Sequence, residues 1–217
     1  MLGSLELRQR GGARVLAGSF PYGKIATVAD RGRTRKERVR RGAFGWQLRA
    51  FARVQQELNQ AIAEGIEEGI QDALRDELAR RNVHVLVGHD FNKPLGSLAA
   101  GTARVVDGDD AVRFEVDLPD ETDMPTHMRD AVNMVRAGLV GGVSPGFRVP
   151  PANVVANAES LTPEPGNPGV MIREINQAVL YELSLVTRPA YASTEVDLRA
   201  EDFEPPSPRR PEATLWL

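Results

Sequence analysis

The stretch AGLVGGVSPGFRV, residues 137–149, sets one serine, Ser144, among glycines with a proline directly after it. A serine in that setting is either a turn residue or a nucleophile. Gly142-Val143-Ser144-Pro145-Gly146 satisfies the pattern GxSxG, but a nucleophile elbow needs a strand-turn-helix setting and a histidine later in the chain. All three histidines, His84, His89 and His127, precede Ser144, and Pro145 leads into the strand-like GFRV. The elbow is therefore excluded by chain order. A histidine-then-serine order stays open, because a hydroxyl at neutral pH needs a neighbouring base to take its proton. His84 falls inside the alternation of a strand, and His127 lies in a helical segment where an exposed histidine is ordinary. His89 ends an apolar strand in LVGHDFNKPLG, where side chains emerge from a sheet into a cleft, and is the first candidate for a base.

Other chemistries find little to work with. Zero cysteines exclude a disulfide framework, a thiol nucleophile and a thiolate-bound metal. Neither HExxH nor an EF-hand loop is present, and nothing matches a P-loop or a GxGxxG turn, so no metal or cofactor is expected. The 217 residues suit one domain of ordinary size, with room for an appendage, and 41% hydrophobic residues suffice for a core. A net charge of −3 points neither to bulk nucleic-acid binding nor to a membrane surface. No apolar run nears the roughly 20 residues that span a bilayer, and the first residues carry charges where a signal peptide has its apolar centre. The expectation is a soluble, cytoplasmic protein.

The elements that must position these residues are mostly short strands. SLELRQR, ARVLAGSFPYG and KIATVA open the chain as strands broken by glycine. TARVVDGDDAVRFEVDLP predicts a hairpin, with Val112, Phe114, Val116 and Leu118 facing inward. VMIREIN and AVLYELSLVT are two later strands, preceded by a Pro/Asn-rich loop over residues 150–169. Thr122 to Gly138 reads as a helix, with Thr122 or Asp123 near its cap, Pro125 in its first turn and Gly138 at its end.

Leu48 to about Arg80 is a long helical insertion. Its apolar residues, Phe51, Val54, Leu58, Ile62, Ile66, Ile70, Leu74 and Leu78, fall four apart from Leu58 onward. That step overshoots a turn by about 40°, so the stripe winds around the helix, and a bend near Gly65 and Gly69 is the alternative. Arg31 to Phe44 holds seven basic residues and one acid, which reads either as a nucleic-acid or scaffold contact or as a solvated loop. Residues 201–217 are a proline-rich tail ending in ATLWL, either a short docking peptide or an end without function.

Four blocks, RVRRGAFGWQL, VLVGHDFNKPLGSL, GLVGGVSPGFRV and LYELSLVTRPAYASTEV, stand in the order found in the prohead maturation proteases of tailed bacteriophages. The chain resembles that family, which is similar to the herpesvirus assemblins. The resemblance spans about Leu16 to Val196, with the helical insertion interrupting it. It implies an α+β, mainly β fold: a closed β-barrel of the herpesvirus-protease type flanked by helices, with one long inserted helix. Residues 1–200 would form the protease domain, with the insertion at about 48–80, and residues 201–217 the tail.

The resemblance also implies a serine endopeptidase inside the assembling procapsid, in the host cytoplasm. It would cleave scaffold and capsid-protein segments, and itself, with Ser144 as nucleophile and His89 as general base. Its partners would be the phage major capsid protein and its scaffold segment, with a homodimer as a possible active form and neither membrane nor nucleic acid involved. Glu182, in the last matching block, would be the third member. It falls among apolar residues, where a carboxylate costs several kcal/mol unless a partner holds it; the alternative is a carboxylate facing water on an edge strand. Ser184, two residues on and on the same face, could complete its hydrogen bonding. Asp90 neighbours His89 but points to the opposite face of a strand, which makes it a poor orienting group. The oxyanion would be met by Arg188, in VTRPAY, or by backbone amides of the glycines around Ser144, Gly146 among them; Arg188 as a plain surface charge is equally open. A non-catalytic assembly factor on the same fold, binding capsid protein through the helix and tail, is the alternative function.

Overall fold

In the computed structural model the described residues are 5–10, 13–30 and 33–188. The fold is mixed α+β and mainly strands, arranged as three four-stranded sheets with three helices. The first sheet contains β1 (Leu5–Arg10), β2 (Ala13–Pro21), β7 (Ala103–Asp107) and β8 (Ala111–Leu118), in the order β1-β2-β8-β7, antiparallel throughout. The hairpin of β7 and β8 forms where alternation predicts it, and Val112, Phe114, Val116 and Leu118 are all buried. The second sheet runs β10 (Glu159–Glu164), β11 (Asn167–Ile175), β4 (Arg33–Val39), β3 (Ile25–Asp30). The third, which carries the candidate site, runs β6 (Asp90–Ser97), β5 (His84–Val87), β12 (Val179–Val186), β9 (Gly142–Arg148). One hydrophobic core takes residues from all three sheets, including Leu16, Phe20, Val39, Val85, Phe114, Val143, Ile175 and Leu183.

Helix α3 (Thr126–Arg136) stops at Gly138, whose φ of 69° is the left-handed conformation of a helix end. The predicted single long helix is two. Helix α1 (Gly45–Ala63) ends at a turn through Gly65, with φ 64°, and α2 (Glu68–Arg80) runs back against it. The fold-back explains the four-residue spacing. Phe51, Leu58 and Leu78 meet as a small core joined by Val54 and Leu74, while Ile62 and Ile70 are left about half exposed toward the turn. A stripe that winds around one straight helix serves two shorter ones better.

Three strands escape a reading by pattern. Strand β10 lies inside the residues expected to be loop, β6 contains Pro94 and begins with the exposed stretch Phe91-Asn92-Lys93, and β4 is the middle of the basic segment. Residues Arg33–Val39 of the basic segment are therefore a strand and not a loop, and several of the segment's described cations are paired. Its Lys36 bonds Glu164, Arg41 pairs with Asp109, and Arg38 forks onto Glu174, with Nε 3.0 Å from Oε1. The residues beyond 188, including the proline-rich tail, lie outside the described part. Among the described residues no helix is long and apolar enough to cross a membrane.

Glu174 is 1% exposed and also accepts a 2.8 Å bond from the Thr162 hydroxyl. The Arg38 hydrogen bonds hold its carboxyl below the ordinary carboxylate range, against the opposing effect of burial. Because the folded value is the lower one, this stabilisation is fully present above pH 4.5 and is lost as pH falls through the depressed value. Arg38 keeps some contact with solvent, so Glu174→Gln is expected to cost roughly 2–3 kcal/mol at pH 7, less than a fully buried pair. Urea unfolding of both proteins at pH 7 and pH 3 checks this; an equal difference at the two pH values would refute it.

Candidate active site

Strand pairing brings the chemistry-bearing residues to one face. In the third sheet β12 lies between β5, to which it is parallel, and β9, to which it is antiparallel. Ser144 is directly opposite Ser184, and Gly146 directly opposite Glu182. Residues two apart on a strand share a face, so Ser144, Gly146, Glu182 and Ser184 lie together. On the other side of β12, His84 is the ladder partner of Glu182, on the same face. Glu182 is thus in the middle of a sheet and 3% exposed, which removes the edge-strand alternative.

His89 is not the last residue of a strand. It is the second central residue of the two-residue turn that joins β5 to β6, with Val87 and Asp90 as the closing pair. Gly88 has φ 62° and His89 φ 61°, both left-handed, as the tight hairpin turn with matching twist requires. Glycine does this freely; a histidine does so at a cost and needs other contacts to hold it. Those contacts are present. His89 N–H donates to Ser184 Oγ at 2.9 Å, Ser184 Oγ–H donates to Glu182 Oε2 at 2.6 Å, and His89 Nδ1 lies 2.7 Å from Glu182 Oε1. A carboxylate only accepts, so Nδ1 carries the proton of this contact, and in the neutral ring Nε2 is the basic nitrogen.

This network has a steric condition. A β-carbon at Gly146 would overlap the Glu182 carboxylate, standing 2.7 Å from its Cδ. The glycine two positions after Ser144 is the space that the Glu182 side chain occupies.

His89 and Ser144 line one cavity of about 440 Å³ together with Arg188, Met134, Val140 and Leu185. Ser144 is 6% exposed, and no hydrogen bond links its hydroxyl to His89 in the structure. Ligand-free sites often hold such contacts open and tighten them around substrate. Arg188 is exposed at the mouth of the cavity.

The other candidates sit elsewhere. His127 donates through Nε2 to the Pro94 carbonyl at 2.7 Å, tying α3 to β6. Asp90 accepts from the Asn92 amide at 2.9 Å and approaches Lys93, so it does not orient His89. His84 faces Glu182 from β5; burial lowers its pKa, and the nearby Glu182 charge only partly opposes this.

Gln47 is a supporting residue that pattern reading missed. It is 2% exposed on α1, and its side-chain amide bonds both the N–H (2.5 Å) and the C=O (2.8 Å) of Leu180. There it replaces a neighbouring strand just where β12 bulges, between Leu180 and Glu182. A glutamine in a helix rich in polar residues gives no sign of this in the sequence.

Gly146→Ala is expected to push Glu182 off β9 and to break its bond to His89. Overpacking of this kind typically costs about 1–3 kcal/mol. Proton NMR checks it, through loss of a downfield His89 Nδ1–H resonance together with a lower melting temperature. Retention of that resonance would show that the side chain can be rehoused.

A sequence model described as Caudovirus prohead serine protease matches residues 33–207. That stretch contains every residue of the network and of the cavity beside it. Neither a curated protein nor a solved structure matches the chain.

Proposed function

The chain belongs to the Caudovirus prohead serine protease family, a family of serine peptidases, and from that premise we propose that it works through Ser144, His89 and Glu182. Family membership implies a procapsid maturation protease. The finer reading is an endopeptidase that cuts scaffold and capsid-protein segments, and its own chain, within the assembling procapsid. The observation that carries the catalytic assignment is the 2.7 Å contact between His89 Nδ1 and the buried Glu182 carboxylate, beside the cavity that His89 shares with Ser144.

In this mechanism His89 Nε2 takes the proton of the Ser144 hydroxyl as Oγ attacks the scissile carbonyl, and later gives it to the leaving amine. Glu182 fixes the tautomer that leaves Nε2 free and stabilises the imidazolium once formed. Ser184 keeps the second carboxylate oxygen satisfied, so that Glu182 does not rotate away from His89. Donors for the oxyanion would be Arg188, on the same cavity, and backbone amides beside Ser144 such as that of Gly146. We further infer that the three sheets close around their common core as a barrel of the assemblin type; the support is a core shared by every sheet.

Expression of the full chain should yield self-cleavage fragments, and a fluorophosphonate should label Ser144. Ser144→Ala and His89→Ala are each expected to lower kcat/KM by about 10⁶-fold, and the double variant no further, because base and nucleophile act as a unit. Glu182→Gln should retain more, losing about 10⁴-fold. Fragments that persist unchanged in Ser144→Ala would overturn the assignment and favour a non-catalytic assembly factor.

A further inference from the structure

A second cavity, of about 430 Å³, opens on the far side of Glu182 from Ser144. Its walls include Ala79, His84, Phe91, Phe147 and Tyr181, with Glu182 and Gly146 at the boundary with the first site. We propose that it is a substrate subsite taking a bulky apolar side chain about two residues from the scissile bond. This rests on the peptidase reading above, with Ser144 as the attacking group.

Position is the first argument. Gly146 is two residues from Ser144 on the same face of β9, about 7 Å along the strand. An extended substrate reaches that distance with two residues of its own, and a side chain of matching direction meets the cavity.

The lining is the second. Phe91 is 60% exposed and Tyr181 is 36% exposed, although most large apolar side chains of the third sheet are buried. Both are turned out by irregularities of the strands that carry them. The pairing of β5 with β6 jumps from Leu86↔Pro94 to Val87↔Asp90, which releases Phe91, Asn92 and Lys93 from the ladder. Phe91 then stands edge-on to the His84 ring, with centroids 5.6 Å apart. Tyr181 is the bulged residue of β12, with the Arg148 guanidinium 5.7 Å from its ring centroid. Bulges that re-aim side chains beside a site are a recurring device.

Charge is the third argument. Glu182 is occupied by His89 and Ser184, and burial lowers the His84 pKa below that of a free imidazole, against the opposing Glu182 charge. Among the described lining residues no unengaged carboxylate faces the cavity to receive a basic side chain. Arg80 is paired with Glu77, and Asn82 bonds the His84 ring and the Ala99 N–H, which leaves the rings of Phe91, Phe147 and Tyr181 and the Ala79 methyl as the surface open to a ligand. A further wall comes from the end of α2, through Ala79 and Arg80. That gives the helical insertion a part in substrate selection.

Digestion of a mixture of synthetic peptides by the full-length chain, with cleavage positions read by mass spectrometry, tests the proposal. Leu, Met or Phe should be preferred over Ala two residues from the scissile bond, on one side, by about 10- to 100-fold. Phe91→Ala should bring that ratio toward one, and Ala79→Phe, which fills the cavity from an exposed helix position, should invert it toward small residues. A ratio unaltered in both variants, or a loss spread evenly over all positions, would overturn the subsite. Wild-type protein whose Ser144 is labelled by a fluorophosphonate but which has a flat profile at this position would overturn the subsite alone. Wild-type protein that is neither labelled nor active would overturn the catalytic assignment, and the subsite with it.

Discussion

The hydrogen-bond ring that joins His89, Ser184 and Glu182 is the constraint on which the site depends. It grips His89 twice, once by the backbone amide and once by the ring. A histidine in the left-handed region costs on the order of 1–3 kcal/mol, and such conformations persist only where surrounding contacts over-determine them. The backbone bond to Ser184 holds the turn, and the bond to Glu182 holds the imidazole in one tautomer and one orientation. A buried carboxylate is costly unless its lone pairs are met, and the same two partners meet them. Turn strain and carboxylate burial thus offset each other through shared bonds, and removal of any member leaves another unsatisfied.

The register of β9 on β12 follows from that ring. With Ser144 opposite Ser184 and Gly146 opposite Glu182, the glutamate side chain must lie across β9, and only a residue without a β-carbon leaves it room. A slip by one residue would turn Ser144 to the other face and put Val143 or Pro145 in its place. The serine-proline-glycine spacing is therefore a packing requirement of the carboxylate as much as a property of the strand that carries Ser144. It has nothing in common with the elbow that GxSxG normally denotes, which is why the motif misleads and the strand pairing does not.

Legibility in the sequence varied with how local the physics was. The hairpin of β7 and β8 announces itself, because one buried face on an antiparallel pair writes alternation directly into the chain. The break at Gly65 was open from the glycines alone, and only the meeting of Leu58 with Leu78 decides for a fold-back over a bend. Strands β4 and β10 are written in charges and prolines that become intelligible once Lys36–Glu164 and Arg38–Glu174 are seen across them. At the site, residue type singles out 89, 144 and 182 as candidates, and strand pairing and the turn bring them to one region. The turn conformation of His89, the steric role of Gly146 and the backbone bonds of Gln47 are long-range or conformational, and no spacing encodes them.

The helical insertion is joined to this chemistry through two contacts at its two ends. Near the start of α1, Gln47 supplies the donor and acceptor that Leu180 lacks where β12 outruns β5. That bond braces the strand immediately before the bulge, and the bulge sets the phase of Glu182 and Ser184 relative to Leu180. At the end of α2, Ala79 and Arg80 close the cavity on the far side of Glu182. Between these ends the helices pack chiefly on each other, through Phe51, Leu58 and Leu78. A small hairpin core, which Leu98 joins to the main core, lets the exposed turn vary in length or surface at little cost to the sheets, while the ends of the insertion must keep their geometry.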